Sequence, residues 1–135
     1  MTIKSFRERH SYLIEQYQWI EWELETIYAS IGHRNFHEGL HDVEKTNLNK
    51  LLTYIVETEK DTGREILTES EKAELRNLLP RRNYWVHNCY TEIRFDSKTE
   101  DISNQSDVDA LENDIRIAEA LKNRLFDIKR KVIKP

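Results

Sequence analysis

The sequence is poor in helix breakers, in cysteine and in long apolar runs. Its 135 residues include three Gly, two Pro and one Cys. So few breakers favour long helices, and a single cysteine excludes an internal disulfide. No apolar stretch is long enough to cross a membrane, and no charged and then apolar leader follows Met1. We therefore expect a cytoplasmic protein that does not bind a membrane.

The composition suits a bundle of solvated helices. Charged residues make up 34% of the chain and hydrophobic residues 38%, which suffices for one core at this length. No repeat or low-complexity tract divides the chain. We predict a single all-α domain over residues 1–135, folded as an antiparallel up-and-down bundle of four to five helices, with no cofactor.

The net charge of −4 argues against a protein that coats nucleic acid, because non-specific binding neutralises many phosphates at once. A local basic site remains open. Basic residues gather in two groups: Arg76, Arg81 and Arg82, and then Lys129, Arg130, Lys131 and Lys134. We interpret the second group as cations that complement the C-terminal end of a helix.

The first helix is predicted from a capping box and a regular apolar seam. Ser5 followed by Glu8 is a helix-start pattern, and Gly32 is expected to end the helix. The seam positions recur at spacings of three and four, which is typical of helices in bundles: Phe6, His10, Leu13, Tyr17, Ile20, Leu24, Ile27 and Ile31.

Weaker signals divide the middle of the chain. Residues 32–43 show no clean period and are predicted to be irregular. A second helix is expected from about Thr46 to Asp61, closed by Gly63. Thr68 with Glu71 forms another capping box, which predicts a third helix over residues 69–79.

Pro80 is expected to open a fourth helix, because proline is favoured in the first turn. This helix should turn four residues towards the core, namely Trp85, Val86, Cys89 and Ile93. Cys89 is interpreted as a small core residue rather than a nucleophile. A polar connection over residues 96–105 leads to the last helix, which starts near Ser106.

The fourth helix carries the most informative stretch, Arg82-Asn83-Tyr84-Trp85-Val86-His87. If Pro80 is the first helical residue, Arg81 and Arg82 lie at a helix start, where two cations are favourable only when an anion joins them. Phosphate would be a suitable anion. A five-residue step in an α-helix does not bring His87 to the face of Arg82, so curvature or a second subunit must close that gap.

These residue types suit RNA cleavage without a metal. The reaction needs a base for the 2′-hydroxyl, an acid for the leaving oxygen and a cation for the phosphorane. Histidine can serve as base or acid and arginine as cation, while Asn83 can orient the phosphate. Further substrate contacts are predicted from nearby side chains: Arg76, Arg81 and Tyr90.

The motif resembles the R-x4-6-H signature, with a polar second residue, of the HEPN superfamily of small all-α proteins. Many of these proteins are metal-independent ribonucleases whose motif lies on a late helix of the bundle. The resemblance implies that Arg82 and His87 form the catalytic pair, that Asn83 supports them and that a homodimer completes the site. Cleavage would leave a 2′,3′-cyclic phosphate and a 5′-hydroxyl.

The resemblance also implies a biological setting. Such nucleases commonly act as toxins or in defence against phage, restrained by an antitoxin or another regulatory protein. In one toxin branch the antitoxin modifies a tyrosine two residues after the histidine. Here Cys89 occupies that position and Tyr90 comes one residue later, so this chain departs from that form of regulation.

Two other interpretations stay open. In the first, the protein is a non-catalytic helical interaction module, in which Arg82 pairs with a carboxylate such as Glu74 and His87 is an ordinary helix residue. Aromatic residues off the first seam, notably Trp22, would then mark a second apolar face for a partner.

The second alternative is a zinc hydrolase. His37-Glu38-Gly39-Leu40-His41 has the H-E-x-x-H pattern, in which His37 and His41 would bind zinc and Glu38 would activate water. Gly39 weakens such a helix by about 1 kcal/mol. A third ligand would have to come from Glu57 or Glu59, and neither lies in a recognisable ligand pattern. We therefore favour a site without metal.

Overall fold

The computed structural model describes residues 1–31, 35–43 and 46–133. Gly32 and Lys134, which figure in the predictions above, lie outside the described residues. The helices are α1 (Ile3–Ile31), α2 (Phe36–Val43), α3 (Leu48–Thr62), α4 (Glu69–Asn83), α5 (Cys89–Glu92) and α6 (Gln105–Ile133). A π-helical turn over Tyr84–Asn88 joins α4 to α5 without a break, so the described chain forms five helical rods. The predicted all-α helical bundle is confirmed.

The helix starts are mostly set by local side-chain caps. Asn47 accepts a hydrogen bond from the backbone N–H of Lys50 at 2.9 Å and begins α3, which ends at Gly63 with φ of 66°. Thr68 and Glu71 form the predicted capping box at α4. The predicted start of α1 is wrong, because Thr2 rather than Ser5 is the capping residue. The Thr2 hydroxyl accepts a hydrogen bond from the Ser5 backbone N–H.

The segment predicted to be irregular is helical over residues 36–43. Gly39 explains the difference, because it lies where α2 meets α1. A Cβ atom at this position would be 2.8 Å from the Ala29 Cα, closer than two such atoms can approach. The glycine that looked like a helix breaker therefore allows two helix backbones to touch.

The prediction that Pro80 opens a new helix is also wrong. Pro80 lies inside α4, one turn before its end. Proline has no N–H, so the carbonyl of Arg76 loses its usual partner four residues later. The helix continues nonetheless and widens into the π-turn. Arg81 and Arg82 consequently lie in the last turn of α4 rather than at a helix start.

The three longest rods of the bundle lie side by side. Helices α1 and α6 run in the same direction, because the residue numbers of their paired side chains increase together. These pairs are Arg9 with Glu112, Tyr12 with Glu119 and Glu23 with Lys129. The rod formed by α4, the π-turn and α5 runs against both. Arg82 pairs with Glu21 and Trp85 with His10 on α1, while Glu74 pairs with Arg124 and Arg81 with Asp114 on α6.

The predicted seam of α1 forms the centre of the core. Phe6, Leu13, Ile20, Leu24 and Ile27 are fully buried. Trp85, Cys89 and Ile93 also point inward as predicted, whereas Val86 does not and is 40% exposed. No helix in the described ranges is long and apolar enough to cross a membrane.

A short backbone pairing closes the end of the bundle opposite α2. Isolated bridges join Thr2 to Asp101 and Phe95 to Ile102, and the Ile3 N–H donates to the Glu100 carbonyl at 2.7 Å. The polar connection before α6 is thereby tied to the first turn of α1. This contact helps to set α1 and α6 in parallel.

The turn between α3 and α4 is held by a buried carboxylate. Glu59 Oε1 lies 2.7 Å from Lys72 Nζ, and Glu59 Oε2 accepts from the N–H groups of Ile66 and Leu67 at 2.7 and 2.9 Å. Burial alone would raise the pKa of Glu59, but Lys72 and the two N–H groups outweigh burial and lower the pKa.

We predict that Glu59→Gln lowers the free energy of unfolding by about 1–3 kcal/mol at neutral pH, since the amide offers one acceptor where the carboxylate offers two. A lowered folded-state pKa means that the contribution is complete above the unfolded pKa of about 4.3. It is lost as the pH falls through the lower folded value. Urea unfolding at several pH values measures this difference.

The control is Glu57→Gln, because Glu57 lies on the same helix but is exposed. It should change stability by less than about 0.5 kcal/mol at any pH. An effect of Glu59→Gln that stays constant down to pH 2 would contradict the proposed role of the ionised carboxylate.

Candidate active site around Arg82 and His87

The motif lies at the junction of α4 and the π-turn. Arg82 and Asn83 are the last residues of α4, and His87 is the fourth residue of the π-turn. Asn83 and His87 are exposed, whereas Arg82 is partly buried. All three motif residues thus lie on the rod formed by α4, the π-turn and α5, close to the C-terminal end of α4.

The π-turn changes the angular relation between Arg82 and His87. In an α-helix a five-residue step ends about 140° around the axis. In a π-helix the hydrogen bond spans five residues, as from the Cys89 N–H to the Tyr84 carbonyl here, so five residues make little more than one turn. The stretch from Tyr84 to His87 lies within this turn, so His87 is closer to the face of Arg82 than a regular α-helix would place it.

Arg82 is held by α1. Its Nε lies 2.7 Å from Glu21 Oε1, with the two side chains 28% and 24% exposed. The non-catalytic interpretation predicts a carboxylate partner for Arg82, and one is present. It is Glu21 rather than Glu74, which pairs with Arg124.

Arg81 points to the other side of α4. Its Nε donates to Asp114 Oδ2 at 2.8 Å, and its Nη2 lies 2.7 Å from the same oxygen. This oxygen also accepts from the Trp85 indole N–H at 2.6 Å. The guanidinium also lies over the rings of Tyr84 and Trp85, 5.5 and 5.8 Å from their centroids. Arg81 therefore faces α6, and Arg82 faces α1.

His10 is a second histidine at the π-turn. Its Nε2 lies 2.7 Å from the Trp85 carbonyl oxygen and 3.6 Å from Cys89 Sγ. A carbonyl oxygen only accepts, so this contact requires a proton on Nε2. The sequence offered one signal for this role, a histidine in an otherwise apolar seam of α1. Its place in the seam predicts only that His10 packs in the core.

Cys89 is the core residue that the sequence predicted. It is 3% exposed, and its thiol donates to the Trp85 carbonyl at 3.4 Å. Burial raises the pKa of the thiol, which suppresses the nucleophilic thiolate. With His10, Cys89 satisfies the Trp85 carbonyl inside the π-turn.

The residues predicted to contact substrate do not share one depression. Arg76 lines a shallow hollow with Glu59 and Lys72. Arg81 lines the cleft between α4 and α6. Tyr90 is 45% exposed and packs edge-on against His10 with ring centroids 5.0 Å apart. Only Tyr90 lies close to the π-turn on the side that faces α1.

The H-E-x-x-H segment is helical, but it does not assemble a metal centre in the described ranges. His37, Glu38 and His41 are exposed on α2. No group of three or more His, Cys, Asp or Glu side chains that could hold a metal ion occurs among the described residues. Glu59, a candidate third ligand, is bound to Lys72 instead.

Comparisons with protein-family models, with curated proteins and with solved structures found no match to this chain.

We predict that Asp114→Asn lowers the free energy of unfolding by about 1–3 kcal/mol. The variant keeps the shape but removes the charge that receives Arg81 and Trp85. Half of this contact faces solvent, because the Arg81 side chain is 45% exposed, so we expect less than for a fully buried pair. Thermal unfolding followed by circular dichroism measures the change.

Glu112→Gln is the matched control on the same helix. Glu112 also pairs with an arginine, Arg9, but both side chains are 40% exposed. The control should cost less than about 1 kcal/mol. Equal losses in the two variants would show that the buried Asp114 contact is no more important than a surface ion pair.

Proposed function

We propose that the protein is a metal-independent endoribonuclease of HEPN type. In this proposal Arg82 binds and stabilises the scissile phosphate, His87 transfers a proton, and Asn83 orients the phosphate. Cleavage leaves a 2′,3′-cyclic phosphate and a 5′-hydroxyl. The observation that carries the proposal is the π-turn, because it turns His87 towards Arg82 in a way that a regular α-helix would not.

The contacts of Arg82 leave its phosphate-binding end available. Glu21 approaches the guanidinium at Nε. Neither terminal nitrogen of Arg82 makes a hydrogen bond to a described residue. These two nitrogens form the fork that binds two phosphate oxygens at once. Glu21 therefore lies beside the guanidinium without occupying that fork.

His87 is open to a substrate and to a second subunit. Its side chain is exposed and makes no hydrogen bond or ion pair with a described residue. Val86 and Tyr90, 40% and 45% exposed, provide apolar area nearby. A homodimer formed over this surface would bring two histidines to one phosphodiester, so that one acts as base and the other as acid.

In the cell this nuclease would act as a toxin or a phage-defence effector, held in check by an antitoxin or another regulatory partner. That role follows only from the resemblance of Arg82, Asn83 and His87 to the family motif. The non-catalytic interaction module is the second candidate, and the Glu21 contact to Arg82 favours it, since an internal carboxylate already neutralises the arginine.

We predict that Arg82→Ala and His87→Ala each reduce RNA cleavage in EDTA at least 100-fold. Cleavage is measured by capillary electrophoresis of a labelled RNA and by mapping of its cyclic phosphate ends. Arg116→Ala and His37→Ala are the controls, because they remove the same residue types from exposed positions outside the motif. They should retain full activity.

Far-UV circular dichroism must show that each variant keeps the helical signal. Unchanged cleavage in folded Arg82→Ala or His87→Ala protein would contradict the assignment. Cleavage that disappears in EDTA and in His37→Ala would instead support the zinc hydrolase interpretation.

We predict that subunits carrying Arg82→Ala and subunits carrying His87→Ala regain only part of the activity when they are expressed together, because the mixed dimer keeps one of the two histidines. If the site is shared, a mixed dimer keeps one intact arginine and one intact histidine at its interface. Differently tagged subunits, purified through both tags, provide the mixed dimer. The control is each variant carrying both tags, and a mixed dimer as inactive as these would contradict a shared site.

A further inference from the structure

A cleft of about 650 Å³ lies between α4 and α6, away from the side of α4 that carries Arg82. Its size is within the range of pockets that hold small molecules. The walls are mainly apolar and come from both helices: Leu78, Ala110, Ile117 and Ala120. Two of these residues are alanines, whose small side chains leave room for a flat ring.

Tyr17 reaches this cleft from α1, below the other two helices. The residue is only 3% exposed, yet its hydroxyl makes no hydrogen bond to a described residue. Since Tyr17 lines the cleft, the hydroxyl is free to bond to a molecule bound there. Burial and the charge of Asp114 raise the pKa of Tyr17, so the hydroxyl stays protonated and can donate.

Asp114 supplies an acceptor to the same cleft. Its Oδ2 receives all of its hydrogen bonds, from Arg81 and from Trp85. Its Oδ1 accepts from no described residue, although the side chain is 9% exposed and lines the cleft. The inner end therefore offers a hydroxyl donor and a carboxylate acceptor.

The outer part of the cleft is cationic. Arg116 and Arg124 line it from α6. Arg124 is paired with Glu74, whereas the hydrogen bond of Arg116 to a described residue goes to the neutral side chain of Asn113. With Arg81, three arginines face two carboxylates, so the lining as a whole favours an anion.

We propose that this cleft binds a small organic anion with a flat apolar body. The ring lies between the apolar walls, an O–H or N–H group at its inner end bonds to Asp114 Oδ1 and Tyr17, and its anionic group meets Arg116. The site is separate from Arg82 and His87, and the proposal does not require that the protein cleave RNA.

Three naphthalene compounds test the proposal on the full-length protein. The first is 6-hydroxynaphthalene-2-sulfonate, which carries both the hydroxyl and the anion. Naphthalene-2-sulfonate lacks the hydroxyl, and 2-naphthol lacks the anion. Isothermal titration calorimetry gives the affinity and the stoichiometry. We expect one molecule of the first compound per chain, bound more tightly than either of the other two.

Tyr17→Phe removes only the inner hydroxyl. It should weaken binding of the hydroxylated sulfonate roughly threefold to tenfold and leave naphthalene-2-sulfonate unchanged. Tyr12→Phe is the matched control, because the Tyr12 hydroxyl bonds to Glu119 outside the cleft. It should change neither affinity.

Ile117→Glu places a negative charge inside the cleft at a side chain that is 41% exposed, so the fold should tolerate it. Binding of both sulfonates should fall more than tenfold. Phe126→Glu makes the same change at an equally exposed side chain that does not line the cleft. It should have no effect.

Three outcomes would overturn the proposal: no saturable binding of 6-hydroxynaphthalene-2-sulfonate, equal binding of 2-naphthol, or a loss in Phe126→Glu that matches the loss in Ile117→Glu. Because the assay contains no RNA, each of these can occur whether or not the cleavage experiments succeed. Binding of the sulfonate by a protein that cleaves no RNA would support the cleft and leave the nuclease proposal without support.

Discussion

Two adjacent arginines hold the rod formed by α4, the π-turn and α5 against its two neighbours. Successive residues of an α-helix point about 100° apart, so Arg81 and Arg82 reach different neighbours from one turn of α4. Arg81 binds Asp114 on α6, and Arg82 contacts Glu21 on α1. These two contacts fix the rotation of the rod against two parallel helices. A change in that rotation would displace the π-turn, the candidate active site and the cleft together.

The π-turn depends on its surroundings as much as on its own residues. A π-helix is rare and occurs mostly as single turns inside α-helices. Here the Trp85 side chain bonds to Asp114, and the Trp85 carbonyl contacts His10 and Cys89. Both ends of one residue are thus bound to other parts of the core. This arrangement allows the helix to keep a wide turn just after Pro80.

The sequence predicts those features that depend on interactions between residues close together in the chain. The capping box at Thr68, the left-handed Gly63 and the apolar seam of α1 each depend on residues a few positions apart. Pro80 and Gly39 were misjudged because their roles depend on distant partners. Pro80 is accommodated in a rod packed against two neighbours, and Gly39 is needed where α2 touches Ala29. Local propensity predicts a helix break at both positions, and tertiary packing overrides it.

The sequence likewise predicts some features of the candidate site and not others. The motif and the core position of Cys89 can both be predicted from the sequence. The angle between Arg82 and His87 cannot be predicted, because no residue pattern in the sequence indicates a π-turn. The roles of His10, Tyr17 and Asp114 were also missed, since each is defined by a contact with residues more than 25 positions away.

The contact between Arg82 and Glu21 bears directly on whether the arginine can act on a substrate. Its Nε and Oε1 atoms are 2.7 Å apart, yet both are buried and neither makes a well-directed hydrogen bond. Arg9 and Glu112, by contrast, form a two-bond fork at 2.8 and 2.7 Å. Glu21 therefore supplies charge without occupying the fork of Arg82. A phosphate could bind that fork without displacing Glu21, so a paired arginine and a catalytic arginine are not mutually exclusive here.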